Sequence, residues 1–474
     1  MTTSSSLLTV TLCILLICHG SQAQIAQRQS SRSQQQQQGE CRVQNLNPLD
    51  PVRRYQHEAG VTEEWDQNTD QLQCAGVAAT RHVIDPRGLL LPSFNNAPML
   101  AYVLQGQGLL GMTCPGCPET YQSFQQTQEG RSSQRSMDQH QKVRRIRQGD
   151  IVALPAGIAH WCYNDGNNHL VLVVVHDTNN DANQLDQRLR RFFIAGNQQE
   201  QQPRSLYGQQ QRPFGHNIFQ AFNVEILAEA FNVDPETARK LQNENDRRGN
   251  IVRVEKGLQL VRPRFEEEEE EERREERERG RYNVNGLEET ICSMRIRENI
   301  ANPERADVYS ARGGRISTVN SHNLPILRYL QLSAERGNLY RNAMVAPLWN
   351  INAHSVLYVI RGNAHIQISG NSQRPAFDGE VREGQLLIVP QNFAVVKRAR
   401  DQGFEWISFK TNDLAKTSPL AGRTSVVRAM PEEVLMNAYQ VSRDEARRLK
   451  YNRQEVTILS PRSTSSRGQG PYTE

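Results

Sequence analysis

Three blocks of this chain occur twice, in the same order, and that duplication limits what the chain can fold into more than any other feature. Leu100-Ala-Tyr102-Val-Leu-Gln-Gly106-Gln-Gly108 returns as Val356-Leu-Tyr358-Val-Ile-Arg-Gly362-Asn-Ala364. Arg147-Gln-Gly149-Asp-Ile-Val-Ala-Leu-Pro155 returns as Arg382-Glu-Gly384-Gln-Leu-Leu-Ile-Val-Pro390. The stretch from Leu227 to Leu241 matches Leu435 to Leu449, aligning Phe231 with Tyr439, Val233 with Val441 and Ala238 with Ala446. A chain of 474 residues is long enough to bury two or three separate cores, so the simplest reading is two copies of one domain-sized unit. The offset between partners shrinks from 256 to 235 to 208 residues. The first copy therefore carries extra residues, and they fall where composition turns polar, at 123–141 and 197–213.

Within each copy, short apolar runs such as Leu170 to Val175, Tyr102 to Leu104 and His365 to Ile368 are bounded by Gly, Pro and Asn, which reads as many short strands. Each copy then ends on helix signals. Asp234-Pro235-Glu236 supplies an N-cap, a proline at the first helical position and an acid in the first turn, and Ser442-Arg-Asp-Glu445 is a capping box. The expected fold is mainly β: two barrels, each followed by a small α-helical module, at about 217–246 and 417–455. Between the copies, the Glu run 266–272 and the Arg/Glu mixture after it have no apolar periodicity. The segment 264–284 is expected to be a solvated, mobile linker.

Charge excludes little by itself, since 56 basic against 52 acidic residues leave a formal +4, too small to imply nucleic acid or an anionic membrane as partner. The kind of charge says more. Only seven basic residues are Lys and 49 are Arg, and Gln comes in blocks such as Gln34 to Gln38. These are nitrogen-dense choices. Residues 7–18 form an apolar run too short to span a bilayer, followed by Ser21-Gln22-Ala23, which reads as a signal peptide over 1–23 cut between Ala23 and Gln24. The chain is expected in the secretory route, where its six remaining cysteines, Cys41, Cys74, Cys114, Cys117, Cys162 and Cys292, can pair in fifteen complete ways. Cys114-Pro-Gly-Cys117 has the spacing of a redox pair, but its prolines and glycines describe a loop and not a helix start, and no second pair at zinc spacing accompanies it. Structural disulfides are the favoured reading.

Gly149-x5-Pro155-x-Gly157-x2-His160-x3-Asn164 fits the second sequence motif of the cupins, small jelly-roll barrels, at every specified position. The second copy keeps Gly384 and Pro390 but has Asn392, Val395 and Ala399 where the motif has Gly, His and Asn. In metal-using cupins that His joins two His and a Glu of a first motif ending on the glycine here matched by Gly106 or Gly362. Counting back places Pro92, Phe94 and Met99, or Leu348, Asn350 and Ser355, at those positions. A lone imidazole with a thioether does not make a site for Fe, Mn or Cu, so neither a metal nor another cofactor, and no catalytic residue, is expected; His160 reads as a satisfied barrel histidine.

Together with the repeat, the leader and the Arg/Gln bias, further stretches make the chain resemble the 11S globulins, the legumin-type, two-cupin storage proteins of seeds. They are Cys41, Gln73-Cys74-Ala75-Gly76, Leu89-Leu90-Leu91-Pro92, Pro115-Gly-Cys117-Pro-Glu-Thr120 and Asn285-Gly286-Leu-Glu-Glu-Thr-Ile-Cys292. The resemblance implies two cupin barrels, at about 41–196 and 292–413, and a cut between Asn285 and Gly286 by an asparaginyl endopeptidase. It implies disulfides Cys41 to Cys74 and Cys117 to Cys292, with Cys162 left a thiol. Cys114 departs from the family beside the matched Cys117, so which of the two bonds Cys292 stays open. The cut would give an acidic chain, 24–285, with 31 basic and 34 acidic residues, and a basic chain, 286–474, with 25 and 18. The implied function is a nitrogen reserve and not an enzyme, held as a trimer of precursors and a hexamer after cleavage, in the protein storage vacuole, mobilised at germination. Its partners would be itself or related isoforms, with no nucleic acid and no membrane. The alternatives are a metal-dependent cupin enzyme or a small-ligand binding module. Paired helical modules with apolar Ile226, Leu227, Phe231 and Leu241 in one, and Val434, Leu435, Tyr439 and Leu449 in the other, allow head-to-tail closure of a ring.

Overall fold

β-branched and aliphatic runs bounded by turn residues form antiparallel strands throughout, and the repeat appears as two jelly-roll barrels. The computed structural model describes residues 41, 43, 45–119, 121–124, 137–197, 217–243, 245–260, 291, 292 and 294–461. The leader 1–23 with Ala23 and Gln24, the segment 264–284, and Asn285 and Gly286 lie outside the described residues. The barrels and helices belong to the unit 44–474.

In the first barrel one sheet runs in the order Arg53–His57, Gly60–Glu64, Val77–Ile84, Leu170–Asp177, Met99–Gln105, Asp150–Leu154, Arg297–Asn299. The facing sheet runs Arg191–Phe193, Gly88–Asn95, Ala159–Tyr163, Gln107–Thr113, Val143–Arg147, and Ile251–Arg253 also pairs with Gly88–Asn95. The barrel thus draws strands from beyond 41–196. Ile251–Arg253 returns after the helical module, and Arg297–Asn299 comes from the far side of the expected cut. In the second barrel two long strands, Ser355–Ser369 and Ala394–Lys410, run unbroken where the first copy has separate strands, so one continuous sheet wraps both faces. The repeated glycine marks the bend. At Gly106 φ is +83° and a Cβ would stand 2.4 Å from the His169 carbonyl oxygen; at Gly362 φ is +75° and the contact would be 2.3 Å, to Gly403. Only glycine fits such a backbone approach.

The repeated tyrosine joins the two barrels. Arg81 donates to the Tyr358 hydroxyl at 3.1 Å, while Arg336 donates to the Tyr102 hydroxyl at 3.3 Å. Each arginine is held by its own barrel's carboxylate, Glu63 or Glu405. One hydrophobic core, with Tyr102, Ile151 and Val173 from one copy and Tyr358, Ile388 and Ile407 from the other, runs through both.

The helix signals act as read. Asp234 accepts from Thr237 N at 2.9 Å at the start of Pro235–Gln242, and Ser442 with Glu445 closes a full capping box on Arg443–Tyr451. The second module starts later than 417, because Thr417–Pro419 is a strand paired with Met344–Asn350, and its first helix is Val426–Ala429.

Candidate functional site

The interior of the first barrel holds a cavity of about 60 Å³. His160 reaches it from the motif strand, buried, with Nδ1 3.2 Å from the Ile158 carbonyl oxygen. Two further histidines line it, His82 and His176, on strands that carry no motif. His57 stands behind them, its Nε2 2.9 Å from the Thr62 hydroxyl, which is 3.0 Å from His82 Nδ1. Burial, then the positive charge of Arg191, lowers His57 to about 4 and His82 to about 3, and burial lowers His160 and His176 as well. All four are neutral imidazoles at neutral pH. Cys162, in the same wall, is pushed up to about 12 by burial and by Asp165, so it is a thiol and not a nucleophile. Arg191 is committed to Glu64 and to the Thr80 hydroxyl.

The ligand positions counted from the glycine are corrected in this barrel. Ser93, Asn95 and Met99 line the cavity; Pro92 and Phe94 do not, and Phe94 stacks on Phe192 at 5.0 Å. The reason is one residue of turn length. Three residues separate Gly88–Asn95 from Met99–Gln105, and four separate Met344–Asn350 from Ser355–Ser369. A one-residue slip in a strand exchanges its two faces. The fit to a cupin metal fails on the corrected set too, since Ser93, Asn95, Met99 and His160 offer one imidazole and no carboxylate. Among the described residues no group of three or more His, Cys, Asp or Glu is placed to hold a metal ion. Two buried atoms at the cavity, Asn95 Oδ1 and Asn250 Oδ1, have no hydrogen-bond partner among the described residues.

The second barrel has a different interior at equivalent positions. Strand register places Glu335 where the first has Thr80, Lys397 for Cys162, Lys410 for His176, and Trp406 for Leu172. Glu335 lies 3.6 Å from Lys397 and 3.9 Å from Lys410, Lys410 donates to Asn350 Oδ1 at 2.9 Å, and Lys397 stands over the Trp406 ring at 4.6 Å. Burial opposes the charge of Glu335, but the two lysines overcome it and hold the carboxyl at about 2. Burial lowers Lys397 to about 8 against the pull of Glu335. This is a closed ion cluster, satisfied from within.

Cys117 is bonded to Cys292, with Cα atoms 5.4 Å apart and 175 residues between them in sequence. Cys114 and Cys162 are free and buried, and Cys41 and Cys74 are each in a disulfide. Gln141, which sequence reading missed, clamps the turn. Its side chain accepts from Cys114 N at 2.8 Å and donates to the carbonyls of Cys114 and Cys117. No sequence signal marks it, because it is the last residue of the polar insertion 123–141.

On the helical modules, Leu227 and Leu435 are buried under their own helices, and Leu241 is half-buried. Ile226 (60 % exposed) and Phe231 (50 %), with their repeat equivalents Val434 (47 %) and Tyr439 (57 %), face outward, as does Leu449.

The family model for cupins matches residues 46–200 and 298–447. An 11S globulin seed storage protein of Carya illinoinensis is 54 % identical over 98 % of this chain and 98 % of its own length. The crystal structure of pumpkin seed globulin superposes with a TM-score of 0.76 at 50 % identity, over 89 % of this chain and 99 % of that one. That of the 11S globulin of Wrightia tinctoria, described as revealing an auxin binding site, does so at 0.77 and 52 % identity, over 89 % and 97 %.

Proposed function

This chain belongs to the 11S globulins, storage proteins of seeds and not enzymes, and from that premise we propose how it is assembled and laid down. The chain enters the secretory route by a leader cut after Ala23, bonds Cys41 to Cys74, and closes a trimer head to tail through its helical modules. The observation that carries the assembly is the matched exposure of Ile226 and Phe231 on one module and Val434 and Tyr439 on the other. Two similar apolar faces on one protomer are what a closed heterologous ring requires. An asparaginyl endopeptidase then cuts between Asn285 and Gly286. The Cys117–Cys292 bond, with Ile291 packed on the shared core, keeps the new N-terminus in place. Cutting frees the acidic segment 264–284 from the trimer face, and two trimers stack into the hexamer held in the storage vacuole. Sedimentation velocity of wild type and Asn285→Gln, each treated with the endopeptidase, tests the sequence of events. The variant is expected to stay a trimer; a hexamer formed without cleavage refutes the coupling.

A second reading, small-ligand binding in the first barrel, is favoured by the unpartnered Asn95 and Asn250 side-chain oxygens. Neutral histidines and an arginine already paired suit an uncharged ligand with hydrogen-bond donors better than a carboxylate. Calorimetry with indole and with indole-3-acetate decides: tighter binding of the acid, or no binding of either, contradicts it.

A further inference from the structure

A third cysteine, Cys114, stands at the other end of the turn that carries the bonded Cys117. Cys117 N donates to the Cys114 carbonyl at 3.2 Å, and Gly116 has φ +78°, so Cys114-Pro115-Gly116-Cys117 is a β-turn with proline and glycine in the places a type II turn gives them. Such a turn brings its end Cα atoms within roughly 7 Å, the separation a disulfide spans. Gln141 holds the turn on both of its carbonyls. Cys114 is 2 % exposed and belongs to the shared core, and Cys117 packs against that core with its bond to Cys292 already made. Cys117 therefore has one partner in hand and a free thiol across its own turn.

We propose that these residues form an exchange site in which the Cys114 thiolate attacks Cys117 Sγ, closing a disulfide across the turn and releasing Cys292. One S–S bond forms and one breaks, the proton lost by Cys114 ends on Cys292, and nothing is oxidised or reduced overall. Burial raises the Cys114 thiol above its ordinary range, partly opposed by Arg144, so little thiolate exists at neutral pH and the exchange is slow. Its consequence is the release of the covalent tether without an outside reductant. That the release also separates two chains rests on the proposed cut at Asn285; the exchange itself does not.

The test uses the uncut full-length chain. Protein held at pH 7, 8 and 9 is quenched in acid, unfolded, labelled at its free thiols with N-ethylmaleimide and mapped by mass spectrometry after peptic digestion. Cys162, free in either state, serves as the internal reference. The expected result is label appearing on Cys292 with a Cys114–Cys117 bond in one peptide, at a rate rising about tenfold per pH unit as thiolate grows. Cys114→Ser should abolish it. Label that stays on Cys114 at every pH overturns the proposal. So does label that moves to Cys117, since a Cys114–Cys292 bond keeps the tether.

Discussion

The two barrels share a chain trace and differ in what fills them. Where the second places Trp406 flat against Gly337, the first has Leu172 facing His82, and where the second closes a Glu335, Lys397 and Lys410 cluster, the first leaves Thr80, Cys162 and His176. The first interior is uncharged apart from a paired arginine, and holds a cavity; the second is charged and takes in the fully buried Trp406. Duplication preserved the shell in both, while each interior settled its buried polar groups differently. The shared shell carries the interbarrel arginine–tyrosine pairs.

The largest expected break of this comparison is in the filled barrel. Glu335→Gln leaves two buried lysines without their carboxylate and should lower stability by about 3–5 kcal/mol, read from the denaturant midpoint. A loss below about 1 kcal/mol would mean that the lysines reach water, and the contrast with the first barrel would fall. Gly337→Ala comes next. Its Cβ would stand 2.0 Å from the Trp406 ring, and such overpacking typically costs about 1–3 kcal/mol. His82→Ala at the equivalent place in the hollow barrel should cost less.

Acid sharpens the contrast. The first barrel's histidines have folded values below their ordinary 6.5, so the unfolded chain binds more protons and stability falls as pH drops from 6.5 toward about 4 for His57 and about 3 for His82. Glu335 is depressed in the folded state, so its contribution is intact above 4.5 and is lost only as pH falls toward about 2. Protection against hydrogen exchange, taken relative to the intrinsic rate at each pH, should therefore fall first in peptides of Leu170–Asp177 between pH 6.5 and 4.5, with that of Ala394–Lys410 unchanged; equal loss in both would contradict the assignment. The smallest effect is expected for Asn95→Leu. Replacing a buried acceptor that has no partner should change stability by no more than about 1 kcal/mol, toward gain.

Much of the shell was legible from residues. The repeated blocks announced two like units, and the caps at Asp234 and Ser442 marked their helices, but that the repeated glycine sits at a bend and the repeated tyrosine at the interbarrel contact came only from the structure. The interiors were not. Which side chain faces inward depends on strand phase, and one residue in the turn before Met99 shifts that phase, which put Pro92 and Phe94 where Ser93 and Asn95 belong. His82 and His176 carry no motif, and Glu335, Lys397 and Lys410 come together only through pairing of distant strands. The completion of the first barrel by Arg297–Asn299 has the same cause, a contact across the linker that no local pattern announces.

The storage role is tested most directly by following the protein through the life of the seed. Its amount, measured by mass spectrometry of Arg- and Gln-rich peptides, should be high in the dry seed and should fall away during seedling growth. A level that is low in the dry seed, or that holds steady through seedling establishment, would contradict the account.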